Sequence, residues 1–377
     1  MYISTNEDLA AFCTRAAEHP AVAVDTEFLR EKTFHPKLCL VQVAVPGECA
    51  VIDPLAIDDL SPLADLMTDP DTLKVFHACS QDMEVFDHAL GVLPSPLFDT
   101  QVAAAFLGER VQSSYAAIVH AFCGVNLPKS ESLTDWSRRP LTPEQIEYAL
   151  DDVRYLIDAY AEISRQLEEL GRASWVRDEM RPLMRASHYR ADPRAAFKKV
   201  KRINSCTRRQ LAVARELAAW REGRAERHDI PRKWIMSDEV LLALCKRAPK
   251  TVEDFRQIRG TEQLSERDVE AALAAIANGR RCPAENLPSI GKPKHSPTPE
   301  QESVVDLMYA LIRLVSERSR VATALIASRD DLLDYIDHPS RSALREGWRF
   351  ELVGTLLDDL LRGDMGLTVK DGAVEML

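Results

Sequence analysis

Short, valine-rich apolar runs alternate with helix-period segments along the first 110 residues. The runs at 21–28, 38–45, 49–53 and 73–78 predict buried strands, and amphipathic spacing predicts helices over 6–18, 80–91 and 98–107. This is an α/β layout. Beyond Leu141 strand signals nearly vanish. There "PLTPEQIEYALDDVRYLIDAYAEISRQLEEL" opens with Thr142 as N-cap, Pro143 at the first helical position and Gln145 at N3 of a capping box, which predicts a long helix. Residues 204–283 read as an all-helical unit and 299–375 as another, separated by "AENLPSIGKPKHSPTPEQ", where Pro, Gly, Ser and Lys crowd into a linker. The two units echo each other at an offset of 91, with Ser237 over Ser328 and Leu241 over Leu332. Two copies of one small helical fold are expected.

A length of 377 residues fits two or three domains, and 46% hydrophobic with 28% charged residues excludes bulk disorder. No apolar run is long enough to span a membrane, and the start "MYISTNEDLAAF" lacks the basic and apolar regions of a signal peptide, so a cytoplasmic protein is expected. The eight cysteines (13, 39, 49, 79, 123, 206, 245, 282) show no CxxC pair or zinc spacing and are expected to be reduced, buried and apolar in role. The net charge of −11 is uneven. Residues 1–170 carry 11 Lys+Arg against 28 Asp+Glu, net −17, and the remainder 37 against 31, net +6. The basic excess peaks between Arg190 and Lys233, with 14 cations against 5 acids. Such a run is ordinarily a solvated helix face; beside an acidic domain it becomes a candidate phosphate-binding stripe.

The stretch "VDTEFLREKTFHPKLCLVQVA", residues 24–44, places Asp25 and Glu27 at the end of a strand on one face. A dry carboxylate is costly unless something positive meets it, so these acids either reach solvent, pair with Lys or Arg, or bind a cation. Asp82 follows the strand "LKVFHA" in the first turn of a helix, where it either favours the helix dipole or lines a ligand site at the strand's carboxyl end. On the capped helix, Tyr148 and Asp152 share one face, and Asp151 is turned away. Four acids with no matching cations in their motifs would repel one another. Divalent metals resolve that repulsion: hard oxygen ligands suit Mg²⁺ or Mn²⁺, and a pair of such ions about 3.5–4 Å apart supports phosphoryl displacement. His77 is expected to be a packed core histidine and Asp99 a helix cap. Phe28 and Phe34 are either core or stacking residues, and Trp220, Trp234 and Trp348 are expected to fill helical cores.

The segments "VDTEF", "HACSQDMEVF" and "KSESLTDWSRRPLTPEQIEYALDD", with the paired helical units after them, resemble the ribonuclease D family of DEDD-type 3'-to-5' exoribonucleases, the subclass bearing a tyrosine, over essentially the whole chain. "DIPRKWIMSDEVLLALC" from Asp229 resembles the signature of a helicase-and-RNase-D C-terminal (HRDC) unit; the corresponding stretch before Leu325 lacks Asp-Ile-Pro. The resemblance implies a ribonuclease-H-like α/β exonuclease domain over 1–172, a basic connecting segment over 173–203 and a first all-α HRDC domain over 204–283. A Pro-rich linker over 284–298 and a second, diverged HRDC-like domain over 299–377 would follow. It implies two metal ions, Mg²⁺ or Mn²⁺: Asp25 bridging both, Glu27 and Asp152 completing the first site, Asp82 supporting the second. Tyr148 would orient the attacking water, and Trp136 and Arg138 would either touch the terminal nucleotide or pack. The implied reaction releases 5'-mononucleotides from RNA 3' ends, with tRNA precursors as substrate and a monomeric enzyme. A DNA-directed exonuclease uses the same four acids, but the chain has no P-loop of a polymerase- or helicase-linked ATPase. An inactive nucleic-acid-binding module would show a lost acid, and none is lost.

Overall fold

The computed structural model describes residues 1–127, 134–190, 192–290 and 297–377. The "KSESL" part of the third motif and the "GKPKHS" part of the linker lie outside the described residues. The N-terminal part runs β1 (Tyr2–Ile3), α1 (Asn6–Ala16), β2 (Ala21–Leu29), β3 (Lys37–Val45), β4 (Glu48–Ile52), α2 (Ser61–Thr68), β5 (Leu73–Phe76), α3 (Ser80–Ala89), β6 (Leu97–Asp99), α4 (Thr100–Ala104), α5 (Tyr115–Cys123), α6 (Pro143–Arg154), α7 (Leu156–Glu169) and α8 (Ala173–Met180). Six strands form one mixed sheet in the order β1-β4-β3-β2-β5-β6. The pairs β2–β3 and β3–β4 are antiparallel, and β5 and β6 add in parallel on the other side of β2.

Strands covered on both faces read as continuous apolar runs, and β2 and β3 do so because helices lie on each side. Val22, Val24, Val41 and Val43 meet Leu9, Phe12, Met83 and Phe86 of α1 and α3. On the opposite face Ala21, Ala23, Ala44 and Val75 meet Val153 and Leu156 of α6 and α7. Thr142 caps α6 with Gln145 in the expected capping box. The helix expected over 98–107 is instead the edge strand β6 followed by α4, because residues 97–99 pair in parallel with β5. Neither α2 nor α5 stands out in the hydrophobic pattern; "YAAIVHAFC" of α5 is apolar nearly all round, which erases the helical period.

A second core, built on helices Arg208–Arg227, Asp238–Arg247 and Glu266–Arg280, includes Leu217, Leu241, Phe255 and Ile276. Gly279 lets two of these helices touch, since a Cβ there would lie 2.4 Å from Val213 Cα. In the third unit, helices Pro299–Ser319 and Arg329–Asp337 repeat part of that plan: Ser237 and Ser328 are both N-caps, and Leu241 and Leu332 are both fully buried. The third unit is not all-helical. It ends in a hairpin, β7 (Leu367–Lys370) and β8 (Ala373–Met376), whose turn residues Asp371 and Gly372 both take positive φ, as a type I′ turn requires.

The third unit packs its core directly onto the first. Trp348 stacks on Trp175 and meets Phe106 edge-on, while Arg172 donates to the carbonyls of Phe106 and Ser319, both at 2.6 Å. Trp348 is buried and Trp220 packs against the second core, but Trp234 is 51% exposed, contrary to expectation. It sits on the four-residue helix Arg232–Ile235, of which only Ile235 turns inward. All eight cysteines are free. Among the described residues no helix is long and apolar enough to cross a membrane.

Candidate active site

Asp25 and Glu27 leave β2 on the face covered by α6, and Asp152 of α6 comes down to meet them. One carboxylate oxygen from each of the three lies within 4.8 Å of the others. The β2–β3 register shifts immediately after Glu27, where Glu27 pairs with Leu40 and Phe28 with Leu38, which leaves Cys39 as the extra residue of a bulge in β3. Such bulges bend a strand and re-aim its side chains next to active sites. Asp82 is the exception among the four acids. It lies outside that tight triad, almost fully buried in the first turn of α3, where its carboxylate accepts a short hydrogen bond from the Thr26 hydroxyl.

Electrostatics tie Asp82 to the triad all the same. Burial first, then the charges of Asp82, Asp152 and Glu27, holds the Asp25 carboxyl well above the ordinary carboxylate range. Glu27 is pushed up to about 8 by burial, then by Asp152 and Asp82. Burial also raises Asp82 and Asp152; bonds from Thr26 and from the Tyr148 hydroxyl, respectively, oppose the rise. This is the signature of carboxylates crowded without a cation. Asp151 faces away and pairs with Arg154.

The helix that carries Tyr148 and Asp152 is tied to the sheet by residues the sequence did not single out. Asp53, just past β4 and 1% exposed, accepts from Arg139 at 2.5 and 2.7 Å, from Leu55 N at 2.9 Å and from the Tyr2 hydroxyl. Arg139 also donates to the carbonyls of Trp136 and Cys39, at 2.7 and 2.9 Å. Trp136 is buried and stacks on the Tyr148 ring at 5.9 Å, so it packs, whereas Arg138 is exposed and lies 4.0 Å from Asp135. Asp99 caps α4 as expected and does more: it also accepts from Ala78 N and Cys79 N, fixing the junction that presents Asp82. His77 is locked, with Nε2 donating to the Ser113 carbonyl at 3.1 Å and Nδ1 3.0 Å from the Thr100 hydroxyl; burial lowers its pKa. Gln42 of "KLCLVQVAV" is a lone amide in an apolar strand run, a signal present in the sequence itself.

A 3'-5' exonuclease family model matches residues 1–168, and an HRDC domain model matches residues 210–276. Ribonuclease D of Jannaschia sp. is 40% identical over 388 aligned residues, covering 100% of this chain and 98% of the relative. Ribonuclease D of Nitrobacter hamburgensis is also 40% identical, covering 99% of this chain and 98% of its own length. The chain belongs to the ribonuclease D family. It is a 3'-5' exoribonuclease. The crystal structure of Escherichia coli RNase D, described as an exoribonuclease involved in structured RNA processing, superposes with a TM-score of 0.81 at 32% identity, covering 96% of this chain and 98% of that one.

In this chain the HRDC region meets the loop that follows β2. Asp229, at φ 45° in the Asp-Ile-Pro signature, accepts from Phe34 N and His35 N at 3.0 and 3.1 Å, and the Arg232 guanidinium lies 5.7 Å from the Phe34 ring. Phe34 thus packs against the HRDC core, and Phe28 against the sheet core. The basic segment is less available than its composition implied. Arg190, Arg194, Arg215, Arg221, Arg224 and Arg232 are paired with Asp87, Glu216, Glu216, Asp238, Asp268 and Glu222. Lys198, Lys199, Lys201 and Arg202 remain exposed.

Proposed function

We propose that this ribonuclease D trims RNA 3' ends, tRNA precursors with 3' extensions among them, and releases 5'-mononucleotides at a centre holding two Mg²⁺ or Mn²⁺ ions. The observation that carries this reading is the meeting of Asp25, Glu27 and Asp152 oxygens within 4.8 Å. Three hard oxygen donors, each raised above its ordinary pKa by burial and its acidic neighbours, fit a divalent cation, which would reverse that destabilisation. Asp25, Glu27 and Asp152 would hold the ions, and Asp82, anchored by Thr26, would support the second. When bound, such ions lower the pKa of a water and stabilise the oxygen that leaves.

The chain's own groups supply position. The Tyr148 hydroxyl hydrogen-bonds Asp152, and from there it would orient an attacking water. A phenol with an ordinary pKa near 10 stays neutral at working pH and can orient that water without competing for its proton. The Trp136 stack and the Arg139–Asp53 bonds keep the Tyr148 helix against the sheet. We further divide the chain into an exonuclease domain over 1–172, a connecting segment, a first HRDC domain over 204–283 and, past the linker, a second HRDC-like domain over 299–377, working as a monomer in the cytoplasm.

The test is release of mononucleotides from 3'-tailed RNA and matched DNA with Mg²⁺, Mn²⁺ or EDTA. Release from RNA in preference to DNA, lost in EDTA, in Asp25→Asn and in Tyr148→Phe, is expected. Release that persists in EDTA or in Asp25→Asn would overturn the assignment of the site.

A further inference from the structure

Gln42 of β3 lies directly opposite Asp25 of β2 in the antiparallel register. Opposite residues project from the same face, with Cβ atoms about 5 Å apart. The flanking same-face positions, Leu40 and Ala44, are apolar and fully or almost fully buried, and α6 covers them all. Gln42 itself is 0% exposed, yet neither Oε1 nor Nε2 has a hydrogen-bond partner among the described residues. Native proteins rarely leave a buried carboxamide unsatisfied at both ends. An aliphatic side chain would fill this space without that cost, so the fold alone does not explain the residue.

The neighbouring polar groups show what Gln42 is for. Asp82 has Thr26, Asp152 has Tyr148, and Asp53 has Arg139, Tyr2 and Leu55. Asp25, which takes a bond from the Thr26 backbone N–H, stands opposite Gln42, whose amide has no partner among the described residues. We propose that Gln42 is a positioning residue for Asp25, its Nε2–H₂ donating to the Asp25 carboxylate. This rests on the metal-centre reading above. A partner that donates to a metal-holding carboxylate restricts its rotation and so would set how it is presented to a cation. The residue type fits that duty. A Lys or Arg here would compete with the metal as a cation, a Glu would add a fifth acid, and Leu or Met could not donate.

Mn²⁺ is titrated calorimetrically into metal-free parent protein, Gln42→Met, Gln42→Asn and Asp25→Asn, and the metal-free proteins are melted in parallel. The parent is expected to bind Mn²⁺ and Asp25→Asn to lose it. Gln42→Met is expected to bind at least about 10-fold more weakly, the scale for removing an outer partner of a metal ligand. Its metal-free form should melt no lower than the parent, because an unpaired buried amide has been removed. Gln42→Asn keeps the carboxamide but draws it back by one methylene; it should also bind more weakly, and it carries the test if the Met variant does not fold. Unchanged Mn²⁺ affinity in these variants, with or without a lower melting temperature, overturns the role given to Gln42 and leaves the metal centre standing. A parent that takes up no Mn²⁺ overturns the metal centre and this inference together.

Discussion

Arg139→Met is the substitution in which local energetics and activity can be separated most cleanly. It strips two charge-assisted bonds from Asp53, a carboxylate 1% exposed, and leaves it with the Tyr2 hydroxyl and Leu55 N. Removing one partner of a buried pair costs about 3–5 kcal/mol. Arg139 keeps about a quarter of its side chain in water and two donors to Asp53 survive, which sets the expected loss near about 2–3 kcal/mol. For a unit of this size that is a fall of about 4–12 °C in melting temperature. The pH dependence has a definite sign. Burial disfavours the Asp53 anion, but the bonds from Arg139, Tyr2 and Leu55 outweigh it and hold the carboxyl below 3.8. The pair's contribution is therefore present above the unfolded value and lost as pH falls through the folded one, so parent and variant should start to converge only as pH drops below 3.8. Activity should fall separately, because Arg139 also fixes the Trp136 carbonyl and hence the stack on Tyr148. Misplacement by about 1 Å is enough for a 100-fold loss, so kcat should drop at least tenfold with KM little changed. Denaturant melts of Arg139→Met, Asp53→Asn and the double variant, alongside initial rates, are the assay. The double variant should be less destabilised than the sum of the singles by more than about 1 kcal/mol. Additive losses, or a destabilised Arg139→Met with parental kcat, would refute the reasoning.

Three further outcomes are expected. In EDTA the protein should lose stability as pH rises from about 4.5 through 8, because folded Glu27 keeps a proton that the unfolded chain releases, and Mg²⁺ should flatten that slope; equal melting temperatures at pH 5 and 8.5 in EDTA would contradict it. Lys74, fully buried with Nζ donating to the Asp69 and Thr72 carbonyls, is pulled down to about 8 by burial, so stability should rise between about pH 8 and 10.5 and Lys74→Met should abolish that rise, read by urea melts at the two pH values. Reversing Lys198, Lys199 and Lys201 to Glu should weaken RNA binding and flatten its log–log salt slope by about 2 for three single-strand phosphate contacts, and a parental slope would remove this segment from the RNA path.

What was legible in the chain, and what was not, follows the range of the interactions involved. Asp25 with Glu27, and Tyr148 with Asp152, share a face because of strand and helix periods, and the Thr142 capping box is a contact over three residues; each could be read locally. The Asp-Gly turn of the C-terminal hairpin is equally local, but it stands in a unit whose other signals are helical. Pairings across long loops were not readable. The charge excess of residues 190–233 makes a candidate phosphate stripe in the sequence, but Arg224 pairs with Asp268, 44 residues on, and Arg190 with Asp87, 103 residues back. Trp234 failed for a related reason, since the four-residue helix that carries it is too short for its period to say which side faces inward. Gln42 lies between these cases. Its polarity in an apolar strand was visible from composition, but its significance depends on standing opposite Asp25 and on finding no partner there, and both belong to the sheet register rather than to the strand. A polar residue that breaks a buried run is therefore best treated as a question about the neighbouring strand, and here that neighbour carries Asp25 and Glu27, two of the three acids that meet within 4.8 Å.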